Sequence, residues 1–243
     1  NYQASAYSIL SGHSLGALMA VSCLINHPDY FNAYIAISPS LQWDNEIVLK
    51  QASDLADTKK WSGKRLFFSN GNEDGMKERQ VRLQSILLQK KQDGLLFSYV
   101  DYPGEAHAAV PIKAFYDGIR LIYPEWYMPL SNAAFKQNLS SEIVKNHYRK
   151  LSTAYGYTVI PPVDEINAIA RFLRNDPKKV ADALDLLNLN ISNYPASVSV
   201  YETTGDTYAR TGDMKNALVF YNKALALDPS NASVQSKIKK IQP

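Results

Sequence analysis

The chain has 243 residues, 46% of them hydrophobic and 20% charged, and its 26 basic and 23 acidic side chains give a formal charge of +3. This is the composition of a globular chain with one large or two modest domains. Without a concentrated basic run it makes no electrostatic case for nucleic acid or an anionic membrane, no apolar stretch approaches the roughly 20 residues that span a bilayer, and the single cysteine, Cys23, excludes an intrachain disulfide.

Taken in chain order, the first predicted element is a short apolar strand at Tyr7–Ser11, running into Gly12-His13-Ser14-Leu15-Gly16. This is the G-x-S-x-G pattern of a sharp strand-to-helix turn, in which a strained serine projects its Oγ from the top of a parallel sheet. A side chain in place of either glycine is expected to collide with the neighbouring strand or helix. The helix that follows is apolar on nearly every side (Leu15, Leu18, Met19, Val21, Cys23, Leu24 and Ile25) and is expected to lie packed inside the molecule. Asn26-His27-Pro28 ends it, because proline cannot continue a helix. In that helix Cys23 reads as a buried, inert thiol.

Strand and helix then alternate. Strands are predicted at Ala33–Ser38, Lys64–Ser69 and Leu95–Val100. Helices are predicted at about Glu46–Thr58, at Lys77–Gln92 with Val81, Leu83, Ile86, Leu87 and Leu88 on the inner side, and at Pro111–Ile122. Such alternation implies a parallel sheet covered on both faces, with its site beyond the carboxyl ends of the strands. Ser14, Trp43-Asp44, Glu73-Asp74 and His107 all follow strands and are expected on that rim.

A serine hydroxyl needs a base to attack a carbonyl, and the base needs an acid to fix its tautomer. In this fold class the order is Ser, acid, His. Ser14 and His107 fill the outer places; Glu73, Asp74 and Asp44 are the candidates for the acid, each of them also suited to a turn or a helix cap. Of the other histidines, His27 ends a helix and His147 falls in the C-terminal half. His13 and Trp43 are the candidate substrate-binding side chains, Trp43 either as a wall of the acyl pocket or as packing against the rim. The Leu15 backbone N–H is the candidate oxyanion donor, and a second donor is expected from a loop upstream of this chain. The chain starts at Asn1 without a methionine, and further strands of the sheet are expected to precede it. The histidines and lone cysteine make no ligand cluster, so neither metal nor organic cofactor is expected.

The stretches "SGHSLGALMA", "FNAYIAISPSLQWDN", "RLFFSNGNEDG" and "DYPGEAHAAVPIKAFYDGIRLIY", in this order over residues 7–123, resemble the bacterial esterase family of α/β-hydrolases that includes siderophore esterases of the IroE kind. The resemblance implies a serine esterase with Ser14 as nucleophile and His107 as base. Its loop "GNED" favours Glu73 over Asp74 as the acid. It also implies ferric-catecholate lactones or other carboxylic esters as substrates, and it favours the cell envelope as location. The chain departs from the family at Gln42, where relatives tend to have a second tryptophan, so the shape of the substrate pocket does not carry over.

Beyond Pro129 helical periodicity takes over, and the chain divides into a hydrolase portion at 1–128 and a helical portion at 129–243. Within "VSVYETTGDTYARTGDMKNALVFYNKALALDP", Tyr201, Gly205, Tyr208, Gly212, Ala217, Tyr221, Ala224 and Pro229 occupy tetratricopeptide-repeat positions. A weaker repeat is expected at Asp164–Pro195, with Ala183 and Leu187 matching Ala217 and Tyr221, and a further helix at Ser140–Tyr155. Lys237–Lys240 reads as a solvated helix end. This tail is expected to shape the mouth of the site, to dock a partner protein or a second copy, or to be structural. The rival to an esterase is a catalytically silent hydrolase-like platform that displays the repeats to a partner.

Overall fold

The computed structural model describes residues 6–55, 61–73, 75–90 and 94–242. The chain forms two compact units, Asn1–Tyr127 and Met128–Pro243.

The first unit is built on four strands: β1 (Ile9–His13), β2 (Ala33–Ile37), β3 (Arg65–Asn70) and β4 (Leu96–Asp101). They lie side by side in sequence order and every pair is parallel. Each crossover is a helix: α1 (Leu15–Asn26), α2 (Trp43–Asp54) and α3 (Lys77–Lys90), with α4 (Val110–Ile122) after the last strand. The run Ala33-Tyr34-Ile35-Ala36-Ile37 has no polar side because β2 is covered twice. Successive side chains of a strand point to opposite faces. Tyr34 and Ala36 therefore join a core built with α1, α2 and α3, whereas Ala33, Ile35 and Ile37 join one built with Val110, Ala114 and Ile122 of α4. Register brings His13, Ile37, Ser69 and Val100 level across the sheet, so the four carboxyl ends form one edge.

Several expectations change in detail. Helix α1 is not buried all round: Ala17, Ala20, Val21, Leu24 and Ile25 are buried, but Leu15 and Met19, one turn apart, are exposed. Its cover among the described residues comes from the sheet, α2, the turn at Pro28–Tyr30 and Trp61, which leaves one stripe open. Cys23 is half-buried rather than enclosed. In α3 the inner side is Gln80, Leu83 and Leu87, while Val81 and Leu88 face outward. Gln80 is tolerated inside because its Nε2 donates to the Pro39 carbonyl at 2.9 Å. The ends predicted at Thr58 and Gln92 lie outside the described residues.

The second unit contains α5 (Ala133–Asn138), α6 (Ser141–Tyr155), α7 (Val163–Leu173), α8 (Val180–Asn193), α9 (Val198–Arg210), α10 (Met214–Leu227) and α11 (Ala232–Ile241). Helix α6 starts where the sequence sets it, with the Ser140 side chain accepting from the Ile143 N–H, and stops at Gly156 in the left-handed region (φ +69°). Helices α9 and α10 fold back on each other through residues 211–213. A Cβ at Gly205 would stand 2.5 Å from the Tyr221 ring, so glycine is what lets these helices meet. Ala183 and Leu187 in α8 and Ala217 and Tyr221 in α10 are all buried. A polar ladder joins α7 to α9: Asn167 to Ser199, Arg171 to Thr203, Arg174 to Thr207. Lys237 is not simply solvated, since it bridges Glu202 at 2.8 Å and Asp206 at 2.7 Å.

Candidate active site

The loops leaving the four carboxyl ends carry the candidate site residues. After β1 the chain turns within one residue. Ser14 holds φ +57° and ψ −115°, a region that costs a non-glycine residue of order 1–3 kcal/mol. Its N–H donates to the Ile37 carbonyl at 3.0 Å and its carbonyl accepts from Leu18 at 3.0 Å, which fixes the turn from both sides. Gly12 is required: a Cβ there would lie 2.2 Å from the Gly16 carbonyl carbon and oxygen. Gly16 is not required in the same way, because a Cβ at that position meets nothing within 4 Å. The collision is one-sided, with strand β1 pressed against the first turn of α1.

Ser14 caps α1 without a side-chain hydrogen bond. The amides of Leu15, Gly16 and Ala17 precede the first residue with an acceptor inside the helix, and they carry the positive end of its dipole. The Leu15 N–H, directly after the serine, is the first of these amides.

Strands β1 and β4 lie at opposite edges of the sheet, about 14 Å apart at ordinary strand spacing. The loop after β4 crosses this distance along the β3 loop. The Tyr102 N–H donates to the Asn70 carbonyl at 2.8 Å, and the Asn72 N–H to the Glu105 carbonyl at 2.7 Å. His107 thereby arrives beside the elbow, with its ring centroid 4.3 Å from that of His13. From the β3 loop Glu73 meets it: His107 Nδ1–H donates to Glu73 Oε1 at 2.5 Å. A carboxylate can only accept, so this bond puts an imidazole proton on Nδ1. The Glu73 side chain is 7% exposed and that of His107 42%, so the pair is anchored at its acid end and open at its base end.

His13 packs against His107 with Nε2 buried and without a partner among the described residues. Burial, then the neighbouring His107 charge, hold its pKa below the usual imidazole value, against a backbone hydrogen bond at His107 and the Glu73 charge. Protonation of the His13 ring is therefore harder than that of a free imidazole.

The loop after β2 completes the edge. Ser40 Oγ lies 3.2 Å from Ser14 Oγ, and the Ser40 N–H donates to the Ser14 carbonyl at 3.3 Å. Trp43 is exposed, and the next three residues, Asp44, Asn45 and Glu46, wind left-handed at φ +45°, +49° and +62°. Glu46 accepts from Arg79 at 2.9 Å and Arg82 at 2.6 Å, both on α3. The structure thus brings together His13, Glu73 and His107 in one cluster, and Ser14 with Ser40 in contact. Asp44 has no bond to His107 among the described residues, and Asp74 lies outside them. The sequence reading missed Ser40, whose signal was its place in "SPSLQWD" straight after a buried strand. Among the described residues no cluster of His, Cys, Asp and Glu is placed to hold a metal, and no helix is long and apolar enough to cross a membrane.

No family model matches the chain. It is 27% identical over 106 residues to the ferri-bacillibactin esterase BesA of Bacillus subtilis, an alignment covering 41% of this chain and 37% of that enzyme. It is 42% identical over 57 residues to the siderophore triacetylfusarinine C esterase of Aspergillus fumigatus, covering 24% and 20% respectively. The alignments thus span little more than a third of these relatives at most. Among solved structures it is similar to an IroE-like serine hydrolase from Shewanella oneidensis, with a TM-score of 0.55, 24% identity, and 76% of this chain and 58% of that chain covered. An uncharacterised protein from Capnocytophaga ochracea superposes with a TM-score of 0.62 at 12% identity, over 99% of this chain and 70% of that one. The parallel sheet flanked by helices is consistent with the α/β-hydrolase fold of the Shewanella protein.

Proposed function

We propose that the chain is a serine ester hydrolase acting through an acyl-enzyme. Ser14 Oγ attacks the ester carbonyl carbon and its proton passes to His107 Nε2. The new C–O bond drives the carbonyl electron pair onto oxygen, where the Leu15 N–H meets it. Collapse expels the alcohol, protonated by His107, and water repeats the sequence in reverse order to free the acid. Glu73 holds the imidazole in the required tautomer throughout. The observation that carries this reading is the Glu73–His107 bond on the rim beside the strained Ser14.

The substrate class is esters of the siderophore type, a reading supported by the names of the two curated relatives. The second unit reads as a pair of tetratricopeptide-like repeats. The fit of Gly205 against Tyr221 supports this, as does the α7–α9 ladder, whose partners are 32 or 33 residues apart. A fluorophosphonate probe should label the chain covalently and fail on Ser14→Ala; equal labelling of both would sink the nucleophile assignment. Ferric-catecholate lactones should then be cleaved faster than acyl-glycerols or feruloyl esters, and the reverse order would overturn the substrate class.

A further inference from the structure

Ser40 is the one side chain whose hydroxyl stands at hydrogen-bond distance from the Ser14 hydroxyl among the described residues, at 3.2 Å. It is 6% exposed, and no other acceptor for its proton is present among the described residues. A buried hydroxyl proton without an acceptor is costly. Were Ser14 to donate to Ser40, the Ser40 proton would be stranded and the Ser14 proton would point away from its base. The opposite polarity gives the Ser40 proton its acceptor: Ser40 O–H donates to Ser14 Oγ, and the half-buried Ser14 O–H is left free to turn toward a base.

We propose that Ser40 is a further catalytic residue of this site, a hydroxyl that donates to the nucleophile Ser14 Oγ while that oxygen carries negative charge; this rests on the hydrolase reading above. As Ser14 loses its proton to His107, Oγ gains charge before its bond to the carbonyl carbon is complete. One lone pair forms that bond, and the other accepts from Ser40. In the acyl-enzyme Oγ is an ester oxygen and a poorer acceptor, so the bond weakens. It strengthens again when water has added and Oγ leaves with the electron pair of the breaking C–O bond, before His107 returns the proton. A hydrogen bond that is stronger in both transition states than in the states between them raises turnover rather than affinity. The loop is built to hold this hydroxyl in place. The Ser40 N–H is tied to the Ser14 carbonyl, the Trp43 N–H donates to the Ser40 carbonyl at 3.1 Å, and the preceding Pro39 carbonyl is held by buried Gln80.

The test compares the full chain with Ser40→Ala and Ser40→Thr, using a fluorophosphonate probe and p-nitrophenyl butyrate. Ser40→Ala should be labelled about ten- to a hundredfold more slowly, the range for losing a hydrogen bond to a charged group. Its kcat should fall by a similar factor, with KM within about twofold. Ser40→Thr, which keeps the hydroxyl, should recover most of the rate. Thermal melting of each variant separates loss of the hydroxyl from loss of the fold, and a folded Ser40→Ala with the original labelling rate and kcat overturns the proposal. Labelling of the parent chain and not of Ser14→Ala keeps the hydrolase reading alive whatever Ser40→Ala does. A parent chain that is not labelled overturns both.

Discussion

Replacing Glu73 with glutamine keeps the side chain's shape and removes its charge. An amide can donate to His107 Nδ1 and so move the imidazole proton onto Nε2, which is the wrong nitrogen for a base. Under the proposed mechanism Glu73→Gln should lower kcat by roughly a thousand- to ten-thousandfold with the fold unchanged. A drop of less than about tenfold in ester hydrolysis would show that another group orients the ring. His13 makes a different demand. Its folded pKa lies below the ordinary 6.5, chiefly through burial and then through the His107 charge, opposed by a backbone hydrogen bond at His107 and the Glu73 charge. Below about pH 6.5 the unfolded chain therefore binds more protons at this residue than the folded one, and stability falls as the pH falls. Urea unfolding at pH 7 and pH 5 should show His13→Asn losing less stability over that interval than the parent chain. Equal losses in the two proteins would mean that the His13 ring is as easily protonated folded as unfolded.

At the scale of an element, the elbow separates what a motif states from what packing demands. Gly12 and Gly16 are equivalent in the pattern G-x-S-x-G, yet a Cβ at Gly12 would overlap the Gly16 backbone and one at Gly16 would meet open space. Gly16→Ala should leave the protein as stable, or about 1 kcal/mol more stable, since alanine is the better helix former. Gly12→Ala should destabilise it by about 3 kcal/mol or more, because backbone must move; similar melting temperatures for the two variants would refute this. The same contrast explains what was legible in the sequence. Alternating strands and helices were readable from apolar runs and proline stops, because β2 and the Leu66-Phe67-Phe68 centre of β3 are covered on both faces and so are apolar. The outward side of α1 was not: Leu15 and Met19 are apolar like its core residues, and only the partners of the helix decide which stripe is covered. In α3 Gln80 is buried and Val81 exposed, the reverse of what hydropathy alone implies, and the Gln80 Nε2 bond to the Pro39 carbonyl is a partner that hydropathy does not register. The Glu73–His107 pairing was readable only as an ordered set of candidates, because the choice among Glu73, Asp74 and Asp44 depends on how the β4 loop crosses the sheet edge.

At the scale of the whole molecule, each unit carries its own core. The hydrophobic clusters of the first draw on residues between Tyr7 and Tyr123, and one in the second on residues between Val198 and Ile241. Boundaries between such units fall where few contacts cross and the backbone is exposed. Tyr127 stands at the boundary, outside any helix or strand, with 82% of its surface open to solvent. The other exposed aromatic residues among those described are less available to a protease. Phe115 and Tyr116 sit within α4 and Phe172 within α7, whose backbones are hydrogen-bonded, Trp43 opens α2 with its N–H bonded to the Ser40 carbonyl, and Tyr30 is stacked on His27 in a helical turn. Proteases need an extended, locally unfolded segment, so cleavage follows the least protected backbone rather than the most exposed ring. Brief treatment with chymotrypsin should therefore cut first after Tyr127, giving fragments 1–127 and 128–243 by mass spectrometry. First cuts within α4 or within α9 and α10 would mean that one of the units is less stable than the segment that joins them.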